Sequence, residues 1–161
     1  MKGSETTWLS EREQRAWRGF LRMQARLRAQ MARQLQRDTG LSDADYEVLV
    51  VLSEAPGGQL RAFQLGAAVQ WEKSRLSHHL SRMIERGLVA RNACPTDSRG
   101  AYIALTPAGR ATIEAAAPSH VEHVRRWFIE SLTPEQLDQL ADISEAVLSR
   151  LDQEPGTGAT C

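Results

Sequence analysis

The sequence is almost without cysteine: Cys94 and Cys161 are the only two among 161 residues. Two cysteines so far apart suggest neither a disulfide framework nor a metal site. Aromatic residues are scarce at 6%, so a core has to be assembled mostly from Leu, Val, Ile and Ala. No apolar run approaches the roughly 18 residues of a membrane span, and no basic start leads into an apolar segment of the secretory type. A cytoplasmic, reducing location with no membrane association is therefore expected. Net charge is missing too, with 20 basic and 20 acidic residues. There is no glycine-rich phosphate loop, and the histidines do not converge with other polar groups as an acid–base or nucleophilic site requires. Neither an enzyme nor a cofactor is expected.

What the sequence does have is charge sorted by region. Residues 1–40 carry nine basic and four acidic side chains, and residues 41–58 carry four acidic and no basic ones. Residues 59–110 carry eight basic and three acidic, and the remainder three basic and nine acidic. Local positive charge, rather than the sum, attracts a phosphate backbone. With 42% hydrophobic residues, a chain of this length can form one compact domain or two small lobes.

Helix punctuation is legible throughout. Ser10-Glu11-Arg12-Glu13 is a capping box. Behind it Trp17, Phe20, Leu21, Leu27, Met31 and Leu35 recur at helical steps until Thr39-Gly40, predicting one long amphipathic helix with Arg15, Arg18, Arg22 and Arg26 on its other face. Ser42 opens a second helix that Pro56-Gly57-Gly58 ends. Two short helices are predicted at Arg61–Ala68, with Phe63 and Leu65 inward, and at Glu72–Arg86, with Gly87 as the glycine after its end. Leu88–Asn92 and Ala101–Leu105 read as strands around a turn-rich tip, Cys94 to Gly100. Thr106-Pro107 starts a long helix towards Ser131, bent at Pro118, and Thr133-Pro134-Glu135-Gln136 starts a last one.

This order defines a mainly α fold with a small β-hairpin wing, a winged helix-turn-helix carrying N- and C-terminal dimerisation helices. The expected division is 10–40 for the N-terminal dimerisation helix, 42–106 for the winged helix-turn-helix lobe and 107–151 for the C-terminal dimerisation helices, with 1–9 and 152–161 as flexible termini. The terminal helices carry apolar stripes too long for so small a lobe to cover. Pairing with a second copy buries them, so a homodimer is expected.

On a wheel of Glu72–Arg86, Leu76, Leu80, Met83 and Ile84 form one stripe. The opposite face holds Ser74, Arg75, His78, Ser81 and Arg82, all able to hydrogen-bond and none acidic. A face selected only for solubility interleaves both signs. This one suits the major groove of double-stranded DNA, where arginine pairs bidentately with guanine. Entering by its N-terminus, such a helix puts Lys73, Ser74 and Arg75 at base edges, with Ser77, His78, His79 and Arg82 further along. His79 also lies near the apolar flank, where a core-edge role competes with DNA contact. Arg91 and Arg99 bracket the hairpin tip, and a projecting arginine there suits the minor groove. Asp97 is placed to brace Arg99.

Leu60-Arg61-Ala62-Phe63-Gln64-Leu65, Lys73-Ser74-Arg75-Leu76-Ser77, Arg82-Met83-Ile84-Glu85-Arg86-Gly87-Leu88-Val89 and Asp97-Ser98-Arg99 followed by Leu105-Thr106-Pro107-Ala108-Gly109 together resemble the multiple-antibiotic-resistance regulator (MarR) family. The resemblance runs from about Glu11 to Leu151. It implies an obligate homodimer with intertwined terminal helices, a recognition helix at Glu72–Arg86, a wing arginine at Arg99 and a pseudo-palindromic operator. It also implies repression released by a small aromatic or phenolic effector bound between the lobes. The chain departs from many relatives at Trp71, where they carry a small hydroxyl residue.

Three candidate sites compete with plainer roles. Trp17 and Phe20, with Trp8, suit the wall of an effector pocket, although aromatics at helical spacing also serve as core or interface. His120 and His123 stand three apart, a spacing that can bind metal on a helix, but no third ligand completes a site and no metal is expected. Cys94 lies at the base of the wing near Arg91 and Arg99, which lower a thiol's pKa, so redox sensing through Cys94 is the alternative regulatory reading. A winged helix serving protein partners without DNA is the other alternative, and the retained Arg75, Arg82 and Arg99 argue against it.

Overall fold

The computed structural model describes residues 7–94 and 97–153. The chain falls into two compact units that meet in sequence at Glu122 and His123.

The first unit opens with α1 (Glu11–Thr39). Ser10 caps it: the Glu13 amide donates to the Ser10 hydroxyl and the Ser10 amide donates to the Glu13 carboxylate at 2.7 Å. Gly40, at φ 72°, ends it with its amide donating to the Gln36 carbonyl. The same box repeats at Ser42 and Asp45 to start α2 (Asp43–Glu54). A single 3-10 turn at Pro56–Gly58 leads into β1 (Gln59–Arg61), then α3 (Ala62–Val69) and α4 (Lys73–Glu85). Between the two helices Gln70 takes a left-handed conformation at φ 54°, and the Trp71 amide donates to the Gly66 carbonyl at 3.0 Å. A side chain on Gly66 would crowd Leu76, so glycine is what lets α3 and α4 meet so tightly. Gly87, at φ 72°, terminates α4 as expected and turns the chain into the sheet.

β2 (Val89–Cys94) and β3 (Asp97–Leu105) form an antiparallel hairpin, and β1 adds to the far side of β3 to give the order β1-β3-β2. Leu60 stands opposite Ile103 in that third pairing. The strands reach further towards the tip than their apolar segments alone indicate, with an irregularity between Ala93 and Cys94. Thr106 fastens the base of this wing to α5 (Pro107–Trp127). Its hydroxyl donates to the Gly87 carbonyl at 2.6 Å and accepts from the Gly109 amide at 2.9 Å.

The core lies where these elements converge. Val48, Leu49 and Leu52 from α2, Leu65 from α3, Leu80 and Met83 from α4, and Val89 and Ile103 from the sheet are essentially inaccessible to solvent. Fully burying each such side chain contributes about 1.5–3 kcal/mol. Phe63 does not join them. It is 71% exposed, because on a helix it points away from Leu65, two positions on.

The second unit holds the end of α5, a 3-10 turn at Ile129–Ser131 and α6 (Pro134–Gln153). Thr133 caps α6: the Gln136 amide donates to its hydroxyl, and its own amide donates to the Gln136 side chain at 2.9 Å. Pro118 lies inside α5, where the helix runs through it. Among the described residues no helix is long and apolar enough to cross a membrane. Residues 1–6 and 154–161, most of the two expected flexible termini, lie outside the described residues, and Cys161 with them.

Candidate nucleic-acid interface

The α4 helix forms a ridge between two clefts. Its inner face buries Leu76, Leu80 and Met83, which fixes the helix about its axis. Lys73, Ser74, Arg75, Ser77, His78, Ser81 and Arg82 are then all exposed. On one side a cleft of about 810 Å³ between α3, α4 and the sheet is lined by Arg61, Lys73, Ser77 and Arg91, with Phe63 on its rim. On the other, a cleft of about 660 Å³ is lined by Arg75, His78, Arg82 and Arg86, facing Gln36 and the start of α2. The ridge and both flanks thus carry arginine, lysine and hydroxyl donors. The cap position of the helix is Glu72, whose side chain makes no capping bond, so the first turn has no side-chain cap; Trp71, one residue before it, is not the cap.

His79 is a correction to the expected DNA-facing set. It is only 7% exposed and cannot reach a groove. Arg82 lies 3.0 Å from its Nδ1. A guanidinium can only donate, so Nδ1 accepts and the proton sits on Nε2. That Nε2 is 3.1 Å from the Asp45 carboxylate, at an angle short of an aligned hydrogen bond. Asp45 is itself buried at 3% exposure and accepts from Arg86 at 2.8 Å. The resulting chain of contacts ties the start of α2 to the back of the reading helix, and an unpaired charge at that depth is what Arg86 prevents.

Both buried groups have lowered pKa values. Burial first, with the Arg82 and Arg86 charges adding to it, holds the His79 imidazole below 6.5 against the opposing pull of Asp45. Burial works to raise the Asp45 carboxyl above 3.8, but the bonds from Arg86 and Ser42 outweigh it and hold the group lower. In each case the unfolded chain binds protons before the folded one does. Their contribution to stability is present above the unfolded pKa and lost as pH falls. The unfolding midpoint is expected to drop as pH is lowered from 7 through 6, and again near pH 4. His79→Gln, followed by thermal denaturation across the same range, is expected to flatten the first part of the fall. An unchanged slope there would assign the acid sensitivity to other groups.

The remaining expected sites divide. Arg91 is exposed on β2, opposite Ile103. The side chains of Cys94, Asp97 and Arg99 lie outside the described residues, so the wing-tip contact, its bracing by Asp97 and the redox reading of Cys94 stand as expectations. Trp17 and Phe20 stack on each other at 6.0 Å between centroids and remain half-exposed, presenting an open aromatic face on α1 rather than an enclosed pocket within one chain. His120 packs against Tyr46 at 4.4 Å. Sequence reading missed Asp45, Arg86 and the contact of Arg75 with Trp71. The one available signal was Ser42-x-x-Asp45, which marks a capping box but not its link to a residue 41 positions away.

A helix so backed, beside an antiparallel wing, defines a winged helix-turn-helix transcription regulator. Residues 39–100 match the model of the MarR family. Over 92% of its length the chain is 41% identical to AbsC, a MarR family transcriptional regulator from Streptomyces coelicolor, covering all of that chain with a TM-score of 0.87. It is 36% identical to Sco3205 from the same organism, a MarR family transcriptional regulator solved in complex with DNA; the match covers 97% of each chain with a TM-score of 0.88. A probable transcriptional regulator from Pseudomonas aeruginosa is 27% identical over 83% of this chain and 95% of its own, with a TM-score of 0.66. The chain belongs to the MarR family.

Proposed function

We propose that this regulator works in the cytoplasm as a homodimer that reads a pseudo-palindromic operator and represses, with a small aromatic effector releasing it. The observation that carries the DNA reading is the outer face of α4, where every exposed side chain from Lys73 to Arg82 donates or accepts hydrogen bonds and none is acidic. Arg75, with Lys73 and Ser74, meets base edges. Ser77, His78 and Arg82 contact bases or phosphates further along the groove. Arg91 holds the backbone beside the wing, and Arg99, braced by Asp97, enters the minor groove. Complex formation by a relative 36% identical to this chain supports the assignment.

The dimer rests on burial. Leu21 and Met23 on α1, and Ile143 and Leu148 on α6, are all exposed in the single chain. Such faces need a partner, and a second copy fits a two-fold operator with half-sites about one helical turn apart. The stacked Trp17 and Phe20 supply an aromatic wall that a planar effector can extend.

Operator fragments selected from genomic DNA give the test. Affinity is expected to fall steeply with salt, because each phosphate neutralised releases counterions. Arg75→Ala is expected to weaken operator binding by roughly 1–3 kcal/mol and to relax preference at one base pair per half-site. Anisotropy titrations at several salt concentrations measure both. Binding indifferent to salt and to this substitution would remove the DNA-reading assignment.

A further inference from the structure

We propose that Trp71 is a specificity-determining positioning residue: it holds the Arg75 guanidinium over its indole and so aims that arginine at one base. The inference rests on the reading of Arg75 given above and deepens it.

The indole is 9% exposed at the foot of α4. It makes no contribution to capping, since Glu72 occupies the cap position and bonds nothing there through its side chain. It belongs to the hydrophobic core and, besides, touches two polar groups of α4. The Arg75 guanidinium lies 4.2 Å from the ring centroid, and the His79 imidazole meets the ring edge-on at 5.2 Å and 87°. Arg75 and His79 stand one helical turn apart on α4, and the indole of Trp71, two residues before the helix, touches both. His79 is held in turn by Arg82 and faces Asp45, and Asp45 is bonded to Arg86 and to the Ser42 amide. The support for Arg75 therefore runs back to the start of α2, through two buried side chains.

The chemistry of guanidinium makes this arrangement productive. Stacking on an aromatic ring uses the flat face of the group. Pairing with guanine O6 and N7 uses its N–H edge. One arginine can do both together, whereas a salt bridge would occupy the edge. An unsupported arginine on the surface of a helix samples many rotamers, and ordering it on binding weakens the contact. An arginine already stacked loses less, and it presents its edge in one direction only. That direction selects a base pair.

The test is a selection from duplexes randomised in one half-site, carried out on the full-length wild type and on Arg75→Ala, Trp71→Phe and Trp71→Leu. Leucine stays apolar, though smaller than the indole, and removes the ring; phenylalanine keeps a ring face. Arg75→Ala identifies the base pair concerned. At that pair, Trp71→Leu is expected to lose roughly 3- to 10-fold of discrimination, the size of an aromatic–cation contact. Its affinity for a scrambled duplex should stay within about two-fold of wild type, and Trp71→Phe should retain most of the preference. Trp71→Met substitutes for the leucine variant if the latter melts below the assay temperature.

Wild-type discrimination in the ring-less variant overturns the positioning role alone. Tighter operator binding in that variant also overturns it, because the stack would then be stowing Arg75 rather than aiming it. A preference unchanged even by Arg75→Ala removes the base-reading role of Arg75 and this proposal with it.

Discussion

Alanine at position 109 is expected to be among the most damaging single substitutions in the winged lobe. Gly109 sits in the first turn of α5, against the last residues before the wing. A Cβ there would run into the Leu88 carbonyl oxygen and stand 3.0 Å from a methyl of Leu105. The Leu105 methyl can turn aside with its side chain, but the Leu88 carbonyl cannot. The Leu88 carbonyl is backbone, and it already accepts from the Thr106 amide at 3.2 Å. Relief requires α5 to move off the base of the wing, which also breaks the bonds from the Thr106 hydroxyl to the Gly87 carbonyl and from the Thr106 amide to the Leu88 carbonyl. Overpacking costs about 1–3 kcal/mol, and each hydrogen bond lost adds about 1 kcal/mol. The expected loss is therefore about 3 kcal/mol or more, a large share of the roughly 5–15 kcal/mol that holds a domain together. In a chain of this size it corresponds to a fall of roughly 6–12 °C in Tm. Thermal unfolding followed by circular dichroism measures it, and a midpoint within about 2 °C of wild type would show that α5 yields freely.

That clash also explains why Leu-Thr-x-x-Gly is recognisable in the sequence. Thr106 and Gly109 form a joint whose chemistry is local, so its residue types and spacing are written into four consecutive positions. The same holds for the helix starts at Ser10, Ser42 and Thr133, where cap and partner are three residues apart. It holds again for Gly87, whose positive φ suits glycine. What escaped notice depends on distant partners. Gln59–Arg61 contains too few residues to show alternation, and it is a strand only because β3 offers its free edge. The burial of His79 is decided by Asp45 on another helix and by Trp71 before its own. On the wheel it sits at the margin between the two faces, so periodicity alone leaves both readings open. Phe63 was a different kind of miss: two residues apart on a helix, it and Leu65 cannot face the same core. The outer face of α4 was readable because exposure on a helix follows directly from the spacing of Leu76, Leu80 and Met83.

A charge on the apolar face of α6 is expected to cost operator binding more than Arg75→Ala does. The helix buries none of its residues in the single chain, and Ile143, Val147, Leu148 and Leu151 are each more than half exposed. They recur at steps of four, one and three, which makes a single stripe along about two turns. A helix of this kind takes most of its stability from packing such a stripe, and on α1 Trp17, Phe20, Leu21 and Met23 present another. If a second copy covers these faces, Leu148→Asp places an unpaired carboxylate in an apolar interface and separates the protomers. One winged lobe then faces one half-site without the other. Linkage of two sites in one particle multiplies affinity by about 10²–10⁴, so a loss of that order is expected for the full operator. Binding to an isolated half-site is expected to be nearly unchanged, because the substitution leaves every residue of α4 in place. Sedimentation velocity reports the change in mass, and parallel titrations of full and half operators report the affinity. A variant that stays dimeric, or one that becomes monomeric yet keeps full operator affinity, would break the link between these helices and DNA reading.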